Sequence, residues 1–190
     1  MTQASAVQSW KKRLVAQSDL MTLHEQLKSR DKKIVFTAGS WDLLHVGHCR
    51  YFEEAKKFGD VLVVGVSSDE AIRRVKGPNK PILGEKVRAE MLTYIRAVDF
   101  VTILPEPSCQ PTLGLLQPDV FITVKEDWTT DYKGSKEYKT VLKYGGEVIM
   151  VDRQSTTLST TAIVQRAIGG HLGDVFKDFM ELRKDPLKER

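Results

Sequence analysis

The run Val61-Leu62-Val63-Val64 has no polar residue to turn toward water, so as a strand it needs apolar cover on both faces. Helices supply that cover when they alternate with strands, and the chain repeats that order. Residues 33–38 and 60–67 read as buried strands with a helix over 47–58 between them. Further strands are predicted over 99–104, 120–124 and 148–151, and further helices over 85–96, 113–117, 135–143 and 160–168. In 85–96 the core side is expected to carry Val87, Met91, Leu92 and Ile95. Five such units predict an α/β fold: a doubly wound, mainly parallel, five-stranded Rossmann-like sheet with N- and C-terminal helical extensions.

With 190 residues, 41% of them hydrophobic, the chain can bury one substantial core. The expected division is an N-terminal helical extension over 1–32, a main domain over 33–170, and a charged C-terminal helix or tail over 171–190. In the first of these, Val7, Trp10 and Leu14, then Leu20, Leu23 and Leu27, fall on helical faces. Thr22-Leu23-His24-Glu25 resembles a capping box, which starts a helix near Thr22 and ends it near Arg30. Gly169-Gly170 reads as a helix stop, and Val175, Phe176, Phe179 and Leu182 beyond it suggest an accessory or dimer-contact helix. A homodimer is expected.

Lys plus Arg number 29 against 25 Asp plus Glu, a net charge of +4 that suits small anionic substrates. No repeat of aromatic and basic residues accompanies it, so nucleic acid is not expected as a partner. Cys49 and Cys109 have neither disulfide-framework nor zinc spacing, which points to reduced thiols. No stretch reads as a secretory signal or a membrane span, so a cytoplasmic chain without a membrane partner is expected.

Chemistry concentrates where the first strand ends. His45-Val46-Gly47-His48 follows that strand and opens a helix, and Gly47 lets backbone come close to a polyphosphate without a Cβ clash. The two imidazoles can donate to phosphate oxygens and stabilise a departing pyrophosphate. As a metal site His-x-x-His lacks a third protein ligand, so no protein-built metal centre is predicted. Asp42 is read as an orienting group, a magnesium-proximal carboxylate or an ordinary cap. Residues 73–84, with Lys76-Gly77-Pro78-Asn79-Lys80-Pro81, read as an ordered or closing loop, and 125–134 as a second rim loop. Both reach the crevice outside the carboxyl ends of the strands. Lys76, Lys125 and Arg88 are its candidate cations, with ordinary surface solvation as the competing reading of each. Near the end, Ser159 can cap a helix while Thr160 and Thr161 bring hydroxyls beside its free N–H groups.

The segment Thr37-Ala38-Gly39-Ser40-Trp41-Asp42-Leu43-Leu44-His45-Val46-Gly47-His48 resembles the nucleotide-binding signature of small cytidylyltransferases and adenylyltransferases, with Trp41 where that family commonly has phenylalanine. Gly65-Val66-Ser67-Ser68-Asp69, Arg73-Arg74-Val75-Lys76-Gly77-Pro78, and Pro81-Ile82 followed by Glu85-Lys86-Val87-Arg88 resemble the heptose 1-phosphate nucleotidylyltransferase branch. Leu158-Ser159-Thr160-Thr161-Ala162-Ile163 is similar to the family's second nucleotide-binding motif. A departure falls at Val124-Lys125-Glu126-Asp127-Trp128, where many heptose-type members have a glycine-rich Lys-Gly-Gly-Asp-Tyr-like segment.

The resemblance makes 33–170 a nucleotidylyltransferase domain. It implies attack of a substrate phosphate on the α-phosphate of a nucleoside triphosphate, with magnesium as cofactor and pyrophosphate as product. Catalysis is assigned to His45, His48, Lys76 and Lys125, and nucleotide binding to Thr37, Ala38, Gly39, Ser40, Trp41, Asp42, Gly47, Arg88, Ser159, Thr160 and Thr161. Asp69, Glu126, Asp127 and Trp128 are assigned to the substrate loop, with Asp42 or Asp127 the candidates for touching magnesium. The expected partners are a nucleoside triphosphate, ATP favoured, and a sugar phosphate such as heptose 1-phosphate. Cytidylyl transfer to glycerol phosphate, an amino-alcohol phosphate or a related alcohol phosphate is the alternative, and a non-catalytic nucleotide-binding regulatory protein is a second.

Overall fold

The computed structural model describes residues 9–127, 131–155 and 158–184. The apolar runs become five strands: β1 (Ile34–Gly39), β2 (Val61–Ser67), β3 (Phe100–Leu104), β4 (Val120–Val124) and β5 (Glu147–Val151). They form one sheet in the order β3-β2-β1-β4-β5, with every pairing parallel. The helices are α1 (Leu20–Lys28), α2 (Val46–Lys56), α3 (Asp69–Lys76), α4 (Glu85–Thr93), α5 (Gln110–Leu116), α6 (Lys136–Lys143) and α7 (Thr160–Lys184). Two compact units result, Met1–Gln154 and Ser155–Arg190, and α7 belongs to the second.

Alternation along each strand divides the core between the two faces. Val35, Leu62, Val64, Val101, Val120 and Ile122 pack with Tyr51 and Phe52 of α2 and Leu92 of α4. Ile34, Phe36, Val63, Leu104 and Phe121 pack on the other side with Leu20, Leu23 and Leu27 of α1, Leu113 of α5 and Val141 of α6. The doubly wound α/β sheet expected from the sequence is therefore present, with both faces covered.

Four local expectations are corrected. Residues 73–76 are not loop but the last turn of α3, which Ser68 starts by accepting from the Ala71 N–H at 3.1 Å and Gly77 ends at φ 89°. In α4, Val87 and Met91 are exposed, whereas Arg88, Ala89, Leu92 and Thr93 are buried. The helix is turned so that the Arg88 guanidinium, not two apolar side chains, faces inward. No α-helix forms over the described part of the first trio. Ser9–Arg13 makes a 3-10 turn, and Leu14 bridges Val101 on edge strand β3. Arg13 donates to the carbonyls of Thr93 and Val98, and Gln17 to that of Ile103, so tertiary bonds fix a segment that covers a sheet edge. Finally, α7 continues through Gly169-Gly170 instead of stopping there. Among the described residues no helix is long and apolar enough to cross a membrane.

Candidate active site

Strand β1 pairs with β2 on one side and β4 on the other, so the winding direction reverses between β1 and β4 and opens a crevice at their carboxyl ends. The turn after β1 lies at this crevice, and α2 points its N-terminus, the positive end of its dipole, into the same place.

Trp41 sets the shape of that turn. Its backbone is left-handed at φ 49°, and its Nε1 donates to the Gly65 carbonyl at 2.9 Å. The ring lies 4.8 Å from Phe52, 5.9 Å from Tyr51 and edge-on to His48 at 5.5 Å. A Cβ on Gly39 would come within 2.8 Å of the indole, so glycine is required there. Trp41 is thus joined to the core and touches one of the two histidines that follow the turn.

His45 is the residue before α2 and His48 lies in its first turn. Their rings stack with centroids 3.9 Å apart and planes 24° from parallel. The His45 N–H donates to Nδ1 of His48 at 3.4 Å, which makes Nδ1 the acceptor and leaves the proton on Nε2. Nδ1 of His45 is buried with no hydrogen-bond partner among the described residues. Burial pushes the His48 pKa down to about 4, helped by the adjacent His45 and by Arg153. Burial and then Arg153 also lower that of His45. Both imidazoles are therefore neutral at pH 7 and each can donate one N–H to an anion.

Three contacts tie the second loop to this turn. Lys76, the last residue of α3, donates from Nζ to Ser40 Oγ at 2.9 Å. The buried Asp42 carboxylate accepts from the Ile82 N–H at 2.9 Å and the Leu83 N–H at 2.9 Å. Arg88 donates from Nε to Leu83 O at 2.8 Å, from Nη1 to Ser40 O, and from Nη2 to Asp69 Oδ1 at 2.7 Å. The guanidinium is fully buried and each of its three nitrogens is engaged by protein. Asp42 and Arg88 thus act on the crevice by holding its walls, while Lys76 brings a cation to the turn itself.

The other predicted residues divide by position. Thr37 is buried inside the sheet, where its hydroxyl lies 2.7 Å from Tyr51 OH, which in turn donates to Ile122 O. Ala38 and Gly39 end β1, and Gly47 is buried in the first turn of α2. Asp69 lines a cleft of about 530 Å³ with Ser68, Arg73, Glu85, Lys86 and Pro105. At the ends of β4 and β5, Lys125 pairs with Asp152 at 2.8 Å, and this bond raises its pKa. Glu126 accepts from the Arg153 N–H at 3.3 Å. Asp127 closes the short turn Lys125–Asp127, and Trp128 lies outside the described residues. In the second unit, Ser159 caps α7 by accepting from the Ala162 N–H at 3.1 Å, and Thr160 and Thr161 form the first positions of the helix.

Arg153 was not among the residues singled out from sequence, yet its charge depresses both histidines. It follows the end of β5 by two residues, and the carboxyl end of a strand is the signal that could have found it. Among the described residues, no three His, Cys, Asp or Glu side chains gather to hold a metal. Asp42, one proposed magnesium contact, has its carboxylate turned to the Ile82 and Leu83 N–H groups.

The chain is similar in sequence and fold to known proteins. A bifunctional protein HldE of Geotalea uraniireducens is 44% identical over 133 residues, which are 68% of this chain and 26% of the relative. One from Campylobacter jejuni is 37% identical over 161 residues, 83% of this chain and 32% of the relative. The chain thus spans about a quarter to a third of these relatives' length. A crystal structure of the lipopolysaccharide core biosynthesis protein from Thermoplasma volcanium superposes with a TM-score of 0.55 at 26% identity, over 64% of this chain and 98% of that one. The cytidylyltransferase-like family model matches residues 36–166, from the middle of β1 into α7, and the chain belongs to that family.

Proposed function

We propose that the chain is a nucleotidylyltransferase that moves the nucleotidyl group of a triphosphate, ATP favoured, onto a sugar phosphate such as heptose 1-phosphate. An oxygen of the acceptor phosphate attacks the α-phosphorus, the bond from that phosphorus to the α,β-bridging oxygen breaks, and pyrophosphate leaves with the electron pair. The acceptor phosphate is already an anionic nucleophile, so positioning and charge stabilisation suffice and no covalent enzyme intermediate is needed.

The observation that carries this reading is the stacked, neutral His45–His48 pair at the N-terminus of α2. Two imidazole N–H donors beside a helix dipole suit a triphosphate whose charge shifts toward the leaving pyrophosphate. His48 donates through Nε2 to the bridging or departing oxygen, and Lys76 and Arg153 add positive charge. Lys125 can exchange its exposed Asp152 partner for a phosphate. Ala38, Gly39, Ser40 and Gly47 provide close backbone approach, and Trp41 forms a wall. Thr37, Asp42 and Arg88 contribute by positioning, which fits their hydrogen bonds. Ser159, Thr160 and Thr161 are assigned to the nucleotide from the resemblance of their motif and from the N–H groups that open α7. Asp69, Glu126, Asp127 and Trp128 are assigned to the acceptor side.

The described residues build no magnesium cradle, so the ion is expected to arrive chelated by the triphosphate, as part of the substrate. Relatives named bifunctional protein HldE, and a structural relative named for lipopolysaccharide core biosynthesis, support a sugar phosphate acceptor. The test pairs ATP and CTP with heptose 1-phosphate and glycerol 3-phosphate, follows pyrophosphate, and identifies the conjugate by mass. Release of pyrophosphate with ATP and heptose 1-phosphate is expected. Exclusive use of CTP would overturn the donor assignment, and nucleotide binding without turnover on any pair would overturn the enzymatic reading.

A further inference from the structure

Helices α3 and α4 begin beside each other, and between their first turns the cleft of about 530 Å³ opens on Asp69 and Glu85. Asp69 is held from two directions. Its N–H donates to Glu85 Oε2 at 2.8 Å, and its Oδ1 accepts from Arg88 Nη2 at 2.7 Å. The other oxygen of each carboxylate, Oδ2 of Asp69 and Oε1 of Glu85, has no partner among the described residues.

We propose that this cleft receives the sugar body of the acceptor, and that Glu85, together with Asp69, selects for it by accepting hydrogen bonds from its hydroxyls. This rests on the nucleotidyl transfer proposed for the site and makes Glu85 the residue that sets acceptor preference. The lining favours a neutral, hydroxyl-rich group. Asp69 and Glu85 bring carboxylates to it, and Arg73 and Lys86 bring cations. A charged group of either sign meets repulsion there as well as attraction and must shed its hydration, whereas a hydroxyl bonds to both kinds of side chain. Val87, Ile103 and Pro105 offer apolar surface to the C–H faces of a sugar.

Position and access agree with this. Arg88 donates both to Asp69 Oδ1 and to the Ser40 carbonyl, so a single guanidinium separates the carboxylate from the turn that faces the triphosphate. An acceptor whose phosphate lies at that turn can extend its sugar into the cleft. Gly84 keeps the mouth open. Its φ of −61° and ψ of 150° suit any residue, so the backbone does not demand glycine there. Within 4 Å a Cβ at this position would meet only Asp69 Oδ2, at 3.6 Å. A longer side chain at 84 would stand in front of the oxygen assigned to the sugar.

Two measurements on the full chain test this. One is steady-state turnover of ATP with heptose 1-phosphate against glycerol 3-phosphate, and the other is calorimetric titration of heptose 1-phosphate in the presence of α,β-methylene-ATP. Glu85→Ala should raise the KM for heptose 1-phosphate by about tenfold or more and cut the preference over glycerol 3-phosphate by a similar factor. The KM for ATP should stay within about twofold. Glu85→Gln keeps an acceptor for the Asp69 N–H and a polar group for the sugar, so it should recover much of the loss. Gly84→Leu should weaken heptose 1-phosphate in both measurements while the urea midpoint stays near that of the parent. An unchanged acceptor preference in both Glu85→Ala and Gly84→Leu would overturn the proposal and leave the reaction standing, because a residue that only steadies α3 would affect both acceptors alike. If the parent releases no pyrophosphate with any acceptor, the reaction fails instead and the titration decides the cleft. Equal affinity in the parent and Glu85→Ala, or no binding by the parent, then overturns the proposal.

Discussion

Replacing Arg88 with methionine removes the guanidinium that joins Ser40, Leu83 and Asp69 while nearly keeping its volume. Two lost bonds go to backbone carbonyls and one to a carboxylate. At about 1 kcal/mol for each neutral acceptor and about 1.5–3 kcal/mol for the charged one, the direct loss is about 3.5–5 kcal/mol. The Asp69 side chain keeps 26% exposure, so water meets part of its orphaned charge and the net cost should fall at about 3–4 kcal/mol. With a urea dependence of about 2 kcal/mol per molar, the unfolding midpoint should drop by about 1.5–2 M. Arg88→Lys retains a charge for Asp69 but cannot serve both carbonyls, so it should lose about half as much. Urea unfolding followed by tryptophan fluorescence and circular dichroism measures both. A cost below about 1 kcal/mol for Arg88→Met would refute the assignment of Arg88 as the tie between the two loops.

Asp42→Asn keeps the shape but gives up the charge that receives the Ile82 and Leu83 N–H groups, which should cost about 1–2 kcal/mol and speed proteolysis of residues 77–84. Equal cleavage rates would count against a pinned loop. Lys76→Met should lower kcat/KM by about 10²–10³-fold with little change in unfolding midpoint, and an unchanged kcat/KM would remove Lys76 from the transition state. His48 also links stability to pH. Its pKa is about 4 folded against 6.5 unfolded, so between those values the unfolded chain binds the extra proton. The contribution is fully present above pH 6.5 and is lost as pH falls toward 4. The full shift corresponds to about 3 kcal/mol, which partial exposure of the ring reduces to roughly 1–2 kcal/mol. His48→Gln should unfold with a shallower loss of stability between pH 6.5 and 4 than the parent, and parallel pH curves would contradict the depressed pKa.

The strands were legible because runs such as Val61-Leu62-Val63-Val64 admit only a doubly covered environment, and all five strands formed within a residue of their expected ends. Helix α3 was hidden because only Ala71 and Ile72 are buried on it, although Ser68 before it and Gly77 after it mark both ends. The face of α4 was misread because burial of Arg88 reverses the usual order of charge outside and apolar inside. The segment before α1 obeys tertiary bonds from Arg13 and Gln17 instead of its own periodicity.

At the site, the histidine pair could be located because strand, glycine and helix start are local signals. The directions in which Thr37, Asp42 and Arg88 spend their hydrogen bonds are mostly not local, since apart from the Arg88 bond to Leu83, five residues away, the partners lie 14 to 48 residues away. Arg153 escaped notice for a related reason. It reaches the histidines only because the sheet order sets β4 beside β1 and β5 beside β4.

The central claim is that neutral His48 acts on the reacting phosphates, and His48→Ala tests it most directly. Steady-state turnover and nucleotide affinity should be measured on the same folded preparation, with ATP and heptose 1-phosphate as substrates. The expected result is a fall in kcat of about 10²–10³-fold with nucleotide affinity changed only severalfold, because the imidazole bond strengthens as charge moves to pyrophosphate. Unchanged turnover would contradict the claim, and a loss confined to nucleotide affinity would reduce His48 to a ground-state contact.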